Sequence, residues 1–141
     1  MKKLLILTGP QGSGNHLFAR LFSLHENVIG WESLHDKYWI ASDQEPFARF
    51  WVHPEELTKE HFEKGDYFCA NVSVPFFFDG ERQTPKIKEV AMRAFELGVM
   101  PIIAVIVRDR NINELQQVRV GGECTMDTAL EYYKDMAVHF I

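Results

Sequence analysis

No apolar run in this chain approaches the roughly 18 residues of a membrane-spanning helix, so a membrane partner is not expected. An excess of cationic residues is missing too, since the 141 residues carry a formal net charge of −5. Without a global positive field to attract a polyanion, nucleic acid is not the expected partner, and any phosphate must be held by local donors. Cysteine is scarce: Cys69 lies in an apolar stretch, Cys124 follows a glycine pair, and neither has metal-ligand spacing. Both read as free thiols of a reducing compartment, so a cytoplasmic location and no cysteine-bound metal are expected. Met1-Lys2-Lys3 followed by Leu4 to Leu7 imitates a signal peptide, but the apolar stretch is short and runs directly into a glycine turn. It reads as a first strand.

The composition present is that of a globular protein, 46% hydrophobic and 25% charged with 11 Phe and 3 Trp. A chain of this length is expected to form one domain, residues 1–141, with about two-thirds of its unfolded surface hidden. Lys3 to Thr8 and Pro101 to Val107 are unbroken apolar runs, the pattern of parallel strands covered on both faces. Tyr67 to Val74 is a third strand, and Asn27 to Trp31 a short fourth. Helices are expected over Asn15 to Glu26, Glu45 to Phe50, Pro54 to Lys64, from Thr84-Pro85 to Gly98, from Asn111 with Glu114 as a capping box, and over Thr125 to Phe140. In the first of these, Leu17, Phe18, Leu21, Phe22 and Leu24 make the expected buried stripe; in the last, Met126, Leu130, Tyr133 and Ala137 do. Strands alternating with helices predict an α/β fold, a single-domain three-layer αβα arrangement with a mostly parallel sheet of about four to five strands. Binding is then expected beyond the carboxyl ends of the strands.

Gly9-Pro10-Gln11-Gly12-Ser13-Gly14 joins the first strand to the first helix. Glycines there let backbone N–H groups converge on an anion, and the helix N-terminus adds partial positive charge. The frame is that of G-x-x-x-x-G-K-[ST], but Asn15 and His16 stand where Lys and Ser/Thr hold the phosphates and magnesium. Ordinary ATP or GTP hydrolysis is therefore disfavoured. A turn serving packing alone is the competing reading. A second station follows the Pro101 to Val107 run, where Arg108-Asp109-Arg110 brings two guanidinium groups to the same expected edge. The competing reading there is surface pairing with Asp109 or Glu114.

Taken together, Ser13-Gly14-Asn15 and the run Ile106-Val107-Arg108-Asp109-Arg110 through Gln116 resemble the two signatures of the PAPS-dependent sulfotransferases, a branch of the P-loop fold. Their loop reads S-G-T-T or S-G-N-T, and their second signature starts with Arg at the end of a buried strand. The resemblance implies a P-loop NTPase/sulfotransferase-like fold and 3′-phosphoadenosine 5′-phosphosulfate (PAPS) or a related adenine nucleotide as cofactor. Cofactor contacts would fall on Gly9, Gly12, Ser13, Gly14, Asn15, His16, Arg108, Arg110 and Gln116. The chain departs from the pattern at Gly12, where a basic residue is usual, at His16, which replaces a hydroxyl, and at Gln116, which replaces Ser. Members that use a Glu after the second strand to deprotonate the acceptor point to Glu32, with His35 as the next candidate base. Each also reads as an ordinary solvated side chain, and no metal ligand is implied.

Three functions from different classes remain open at this point. One is a protein that binds a small-molecule anion or nucleotide with sulfotransferase-like group transfer. Another is a small-molecule kinase in which Arg108, Arg110 and Arg119 line a lid and a Lys from elsewhere supplies the missing cation. The last is a non-catalytic module in which Phe76 to Phe78, Trp31, Trp39 and Trp51 form a partner or homo-oligomer face.

Overall fold

A computed structural model describes residues 1–140. The first strand, β1 (Lys2–Pro10), lies inside a four-stranded sheet, flanked on one side by β3 (Tyr67–Val74) and on the other by β6 (Val99–Val105). A two-residue strand, β2 (Val28–Ile29), pairs with β3 and completes the order β2-β3-β1-β6. All three pairings are parallel, with Leu5 opposite both Cys69 and Ile102. A separate antiparallel hairpin joins β4 (Phe76–Phe78) to β5 (Glu81–Gln83). Its turn residues Asp79 and Gly80 both take positive φ, 52° and 78°, as a tight hairpin turn requires.

Alternation along the strands separates two cores. Leu4, Ile6, Phe68, Ala70 and Val72 face α2 (Ile87–Glu96) and α4 (Met126–Phe140), while Leu5, Leu7 and Cys69 face α1 (Asn15–Phe22). Helices thus cover both faces of the sheet, an α/β architecture compatible with three layers. The fourth helix, α3 (Arg110–Gly121), follows β6. Two hydroxyls fasten α4. Tyr133 bonds the Thr8 hydroxyl at 2.7 Å, and Tyr132 donates to the Pro85 carbonyl at 2.6 Å while accepting from the Ile87 N–H at the start of α2.

Several expectations need correction. The expected stripe of α1 points outward: Leu17, Phe18, Leu21, Phe22 and Leu24 are all exposed, and the helix packs through Asn15, Ala19 and Ser23. These small and polar residues at spacings of four let the backbone approach the sheet closely, and polar contacts made by Asn15 fix the rotation. The segments expected as helices over 45–50 and 54–64 form only short 3₁₀ turns, Ala48–Trp51, Pro54–Glu56 and Lys59–Phe62. Their rings pack into the core at many angles, Phe62 edge-on to Phe68 for example, so burial comes from single anchors and not from one helical face. Asp109, not Asn111, caps α3 by accepting from the Ile112 N–H at 3.1 Å. In α4 the buried positions are Met126, Ala129 and Met136, whereas Leu130 is exposed.

The strand order reverses direction at β1, whose neighbours β3 and β6 lead away on opposite sides. At such a switch point the carboxyl ends of the strands leave a crevice, and the glycine loop occupies that end of β1.

Candidate functional site

The loop is shaped by steric necessity at Gly9. A Cβ on Gly9 would lie 2.2 Å from Ser13 Oγ and 2.6 Å from the Ile106 carbonyl, so the chain can fold back on itself only without a side chain there. Gly12 and Gly14 take φ of 78° and 93°, in the left-handed region, on either side of Ser13. Alternation of this kind turns successive N–H groups toward one concavity. Gly14 is the N-cap of α1 and no side chain caps that helix, so its first amides remain available to an anion.

Two helices brace the loop from the other side. The Gln11 carbonyl accepts from Asn113 Nδ2 at 2.5 Å and from Gln117 Nε2 at 2.9 Å, and Thr125 Oγ1 donates to Gln11 Oε1. Gln116 lies against Gly12, its Cγ 3.0 Å from where a Cβ would stand. Arg108 reaches the loop directly, with Nη1 donating to the Gly12 carbonyl at 2.9 Å. The glycine loop and the first arginine are therefore one location. Arg110 is engaged elsewhere, in ion pairs with Glu114 at 2.6 Å and Asp127 at 2.8 Å that tie α3 to α4. For that residue the surface-pairing reading describes the geometry.

Beneath the loop lies a polar cluster that sequence reasoning found only in part. Asn15, 3% exposed, donates to Ser73 Oγ at 3.0 Å and accepts from Asn71 Nδ2 at 3.2 Å. The residue in the Lys position is thus turned inward against β3. His16 Nδ1–H donates to Glu45 Oε1 at 2.7 Å, and Glu45 Oε2 accepts from Asn71 Nδ2 at 3.0 Å. The His16 ring also meets Trp31 edge-on, with centroids 5.1 Å apart. Burial raises the Glu45 carboxyl above its ordinary range, while the His16 contact and then the Asn71 bond pull it back. Asn71 Oδ1 is buried without a hydrogen-bond partner, as is Trp31 Nε1.

The candidate bases named from sequence are differently placed. Glu32 is exposed and its Oε2 accepts from the Gly30 N–H at 2.9 Å, a local turn contact. His35 is exposed on the segment after Trp31, and with His16 it lines a hollow outside α1. Glu45 was not among the candidates, because 29 residues separate it from His16 and no spacing links them. One signal for the cluster was present: Asn71 interrupts an apolar strand, and a polar side chain in a doubly covered strand demands a partner.

Other features carry less. A hollow of about 540 Å³ lies among Lys3, Leu5, Phe22, Val28, Tyr67 and Ile102 toward the amino ends of the strands, opposite the loop. In open α/β sheets ligands lie beyond the carboxyl ends, so the loop is the better candidate. His53, Glu55 and Glu56 cluster on surface turns, where Glu56 is already paired with Arg49. Trp31, Trp51 and Phe76 are core residues, leaving Trp39 and Phe77 as the exposed members of the aromatic set. No helix among the described residues is long and apolar enough to cross a membrane. Comparison with family models, with curated proteins and with solved structures yielded no match.

Proposed function

We propose that this protein binds a phosphorylated or sulfated small molecule on the glycine loop, with an adenine nucleotide of the PAPS type as the first candidate. The observation that carries the reading is the contact between Arg108 and Gly12, which joins a guanidinium to an uncapped helix N-terminus at one strand-end crevice. Backbone amides would take one anionic group and Arg108, exchanging the Gly12 carbonyl for a better acceptor, would take another. Gln116 at the loop edge adds a neutral donor.

The kinase alternative is weaker for a structural reason. The side chain in the Lys position is an inward-turned amide, and the one in the magnesium-hydroxyl position is an imidazole already bonded to Glu45. Neither is poised to serve a γ-phosphoryl group and its metal. The reading therefore expects binding that does not require magnesium, and a group-transfer reaction as its use.

Calorimetric titration with adenosine 3′,5′-bisphosphate, in EDTA and again with magnesium, tests this against magnesium-ATP. The bisphosphate is expected to bind equally well in both buffers and more tightly than magnesium-ATP. Arg108→Ala is expected to weaken it by about tenfold or more, the scale of one charge-assisted contact. Tighter binding of magnesium-ATP, or no effect of Arg108→Ala, would turn the assignment toward the kinase or away from the loop.

A further inference from the structure

β6 ends the sheet on one side. No strand among the described residues pairs with it beyond β1, and its seven residues, Val99 to Val105, carry no charge. Edges open to water are usually blunted by charged side chains or by shortness, as β2 is with two residues. The only such device in β6 is Pro101. The Ile106 N–H donates to the Thr8 carbonyl at 2.7 Å. By alternation, Ile102 and Ala104 also turn their backbone groups to β1, and Pro101, Ile103 and Val105 turn theirs outward. Ile103 and Val105 thus offer two donors and two acceptors on the open side, while the missing N–H of Pro101 takes nothing from the ladder to β1.

Apolar surface gathers on both sides of this edge. The hollow of about 540 Å³ borders Ile102 and Phe22 on the α1 face. Two more, of about 390 and 380 Å³, border the strand beside α2 and α4, one at Met100 and Pro101 and the other at Pro101, Ile103 and Val105. Phe22, Met92, Phe95, Met100, Ile102 and Val105 line these hollows and are exposed by 37% to 61%. At about 200 Å² for a whole aromatic side chain and less for the others, they leave on the order of 500 Å² of apolar surface around the strand. A standard interface covers about 800 Å² on each partner, roughly 60% of it apolar. The patch is therefore the size of one partner's share.

We propose that β6 is the docking edge for a second copy of this chain, the two strands pairing antiparallel about a two-fold axis so that two four-stranded sheets join into one. A strand without charge meets its own copy with no like-charge repulsion. With Ile103 opposite Val105 of the partner subunit, every outward donor and acceptor of these two residues is used, and Pro101 falls outside those bonds. Ala104 then lies at the axis, where its small side chain suits the close spacing of a non-hydrogen-bonded pair. The pairing closes on itself. The other side of the sheet ends in the two-residue β2, and the adjoining stretch of β3 from Phe68 to Val72 is buried, so no matching edge is open for head-to-tail growth. Each glycine loop stays within one chain, at opposite ends of the joined sheet.

Analytical ultracentrifugation and amide hydrogen exchange read by mass spectrometry with residue-level fragmentation, each on the full chain from about 1 to 100 μM, test this. A two-chain species is expected to form as concentration rises. The Ile103 and Val105 amides are expected to exchange at least about tenfold more slowly at the upper end of the range than at the lower. Ile102→Lys and, separately, Val105→Lys place a charge in the joined edge and are expected to leave single chains throughout, with circular dichroism showing that they still fold. Where a lysine variant does not fold, the wild-type exchange decides. Single chains at every concentration for the wild type, or a dimer whose Ile103 and Val105 amides exchange as in the monomer, would overturn the proposal. So would a dimer that survives both lysine substitutions, or a mass that keeps climbing past two chains.

Discussion

Gly9 admits no side chain, and Gly14 admits one only at the expense of backbone strain. An alanine at Gly9 must displace Ser13 Oγ and a backbone carbonyl, an overpacking expected to cost about 3 kcal/mol, the upper end for such changes. At Gly14 nothing lies within 4 Å of the new Cβ, and only the φ of 93° opposes it, a penalty of about 1 to 2 kcal/mol. Urea unfolding is expected to rank Gly9→Ala well below Gly14→Ala in midpoint; the reverse order would contradict the packing of Ser13 beneath the loop. Glu45 supplies a pH signature. Burial raises its carboxyl in the folded chain, so the folded state binds the proton more tightly than the unfolded one. Stability then falls as pH rises from the ordinary carboxylate value through the raised one. Denaturation of wild type and Glu45→Gln from about pH 4 to 7 is expected to show wild type losing ground as pH rises. A relative gain would mean that the His16 and Asn71 bonds outweigh burial.

At the scale of elements, β1 and β3 were legible because strands covered on both faces have no polar side to disguise them. The run of β6 is as apolar, but β6 is an edge strand with Met100, Ile102 and Val105 exposed, so for it the expected cover on both faces is corrected. The loop was legible because its glycines are required by contact and by φ. The orientation of α1 was not, since hydrophobic periodicity assumes that the large apolar face is the buried one. Here Asn15 and Ala19 face the sheet, and the pull comes from polar partners on β3 that no local pattern reveals. Pro54 to Lys64 misled for the opposite reason: its proline, acidic residues and terminal glycine satisfy the rules for helix ends, while its buried side chains are only Pro54, Leu57 and Phe62. The pairing of His16 with Glu45 was hidden by separation along the chain. The start of α2 depends on a contact of the same long-range type. Tyr132→Phe removes a bond to the Pro85 carbonyl and the partner of the Ile87 N–H, and a loss of about 1 to 3 kcal/mol is expected in thermal or urea unfolding. A change below about 0.3 kcal/mol would show that α4 does not cap α2 in solution.

For the whole molecule, the proposed anion site would work against a net charge of −5. Its attraction would be local, from loop amides and Arg108, since Arg110 is paired with Glu114 and Asp127. Screening of so few charges predicts that bisphosphate affinity falls only a few-fold between 0.05 and 0.5 M salt, roughly the range over which the Debye length shrinks from above 10 Å to below 5 Å. A steep fall would point to additional cations brought in by a conformational change. The sheet order places this local cluster where both flanking strands diverge, so fold and charge agree on one place. The most direct test is a crystal structure of the protein with adenosine 3′,5′-bisphosphate. The account predicts density for one phosphate on the amides of Gly12 to His16, with the Arg108 guanidinium turned from the Gly12 carbonyl to the other phosphate. A ligand seated in the hollow at the amino ends of the strands, or a loop that stays empty at saturating ligand, would contradict it.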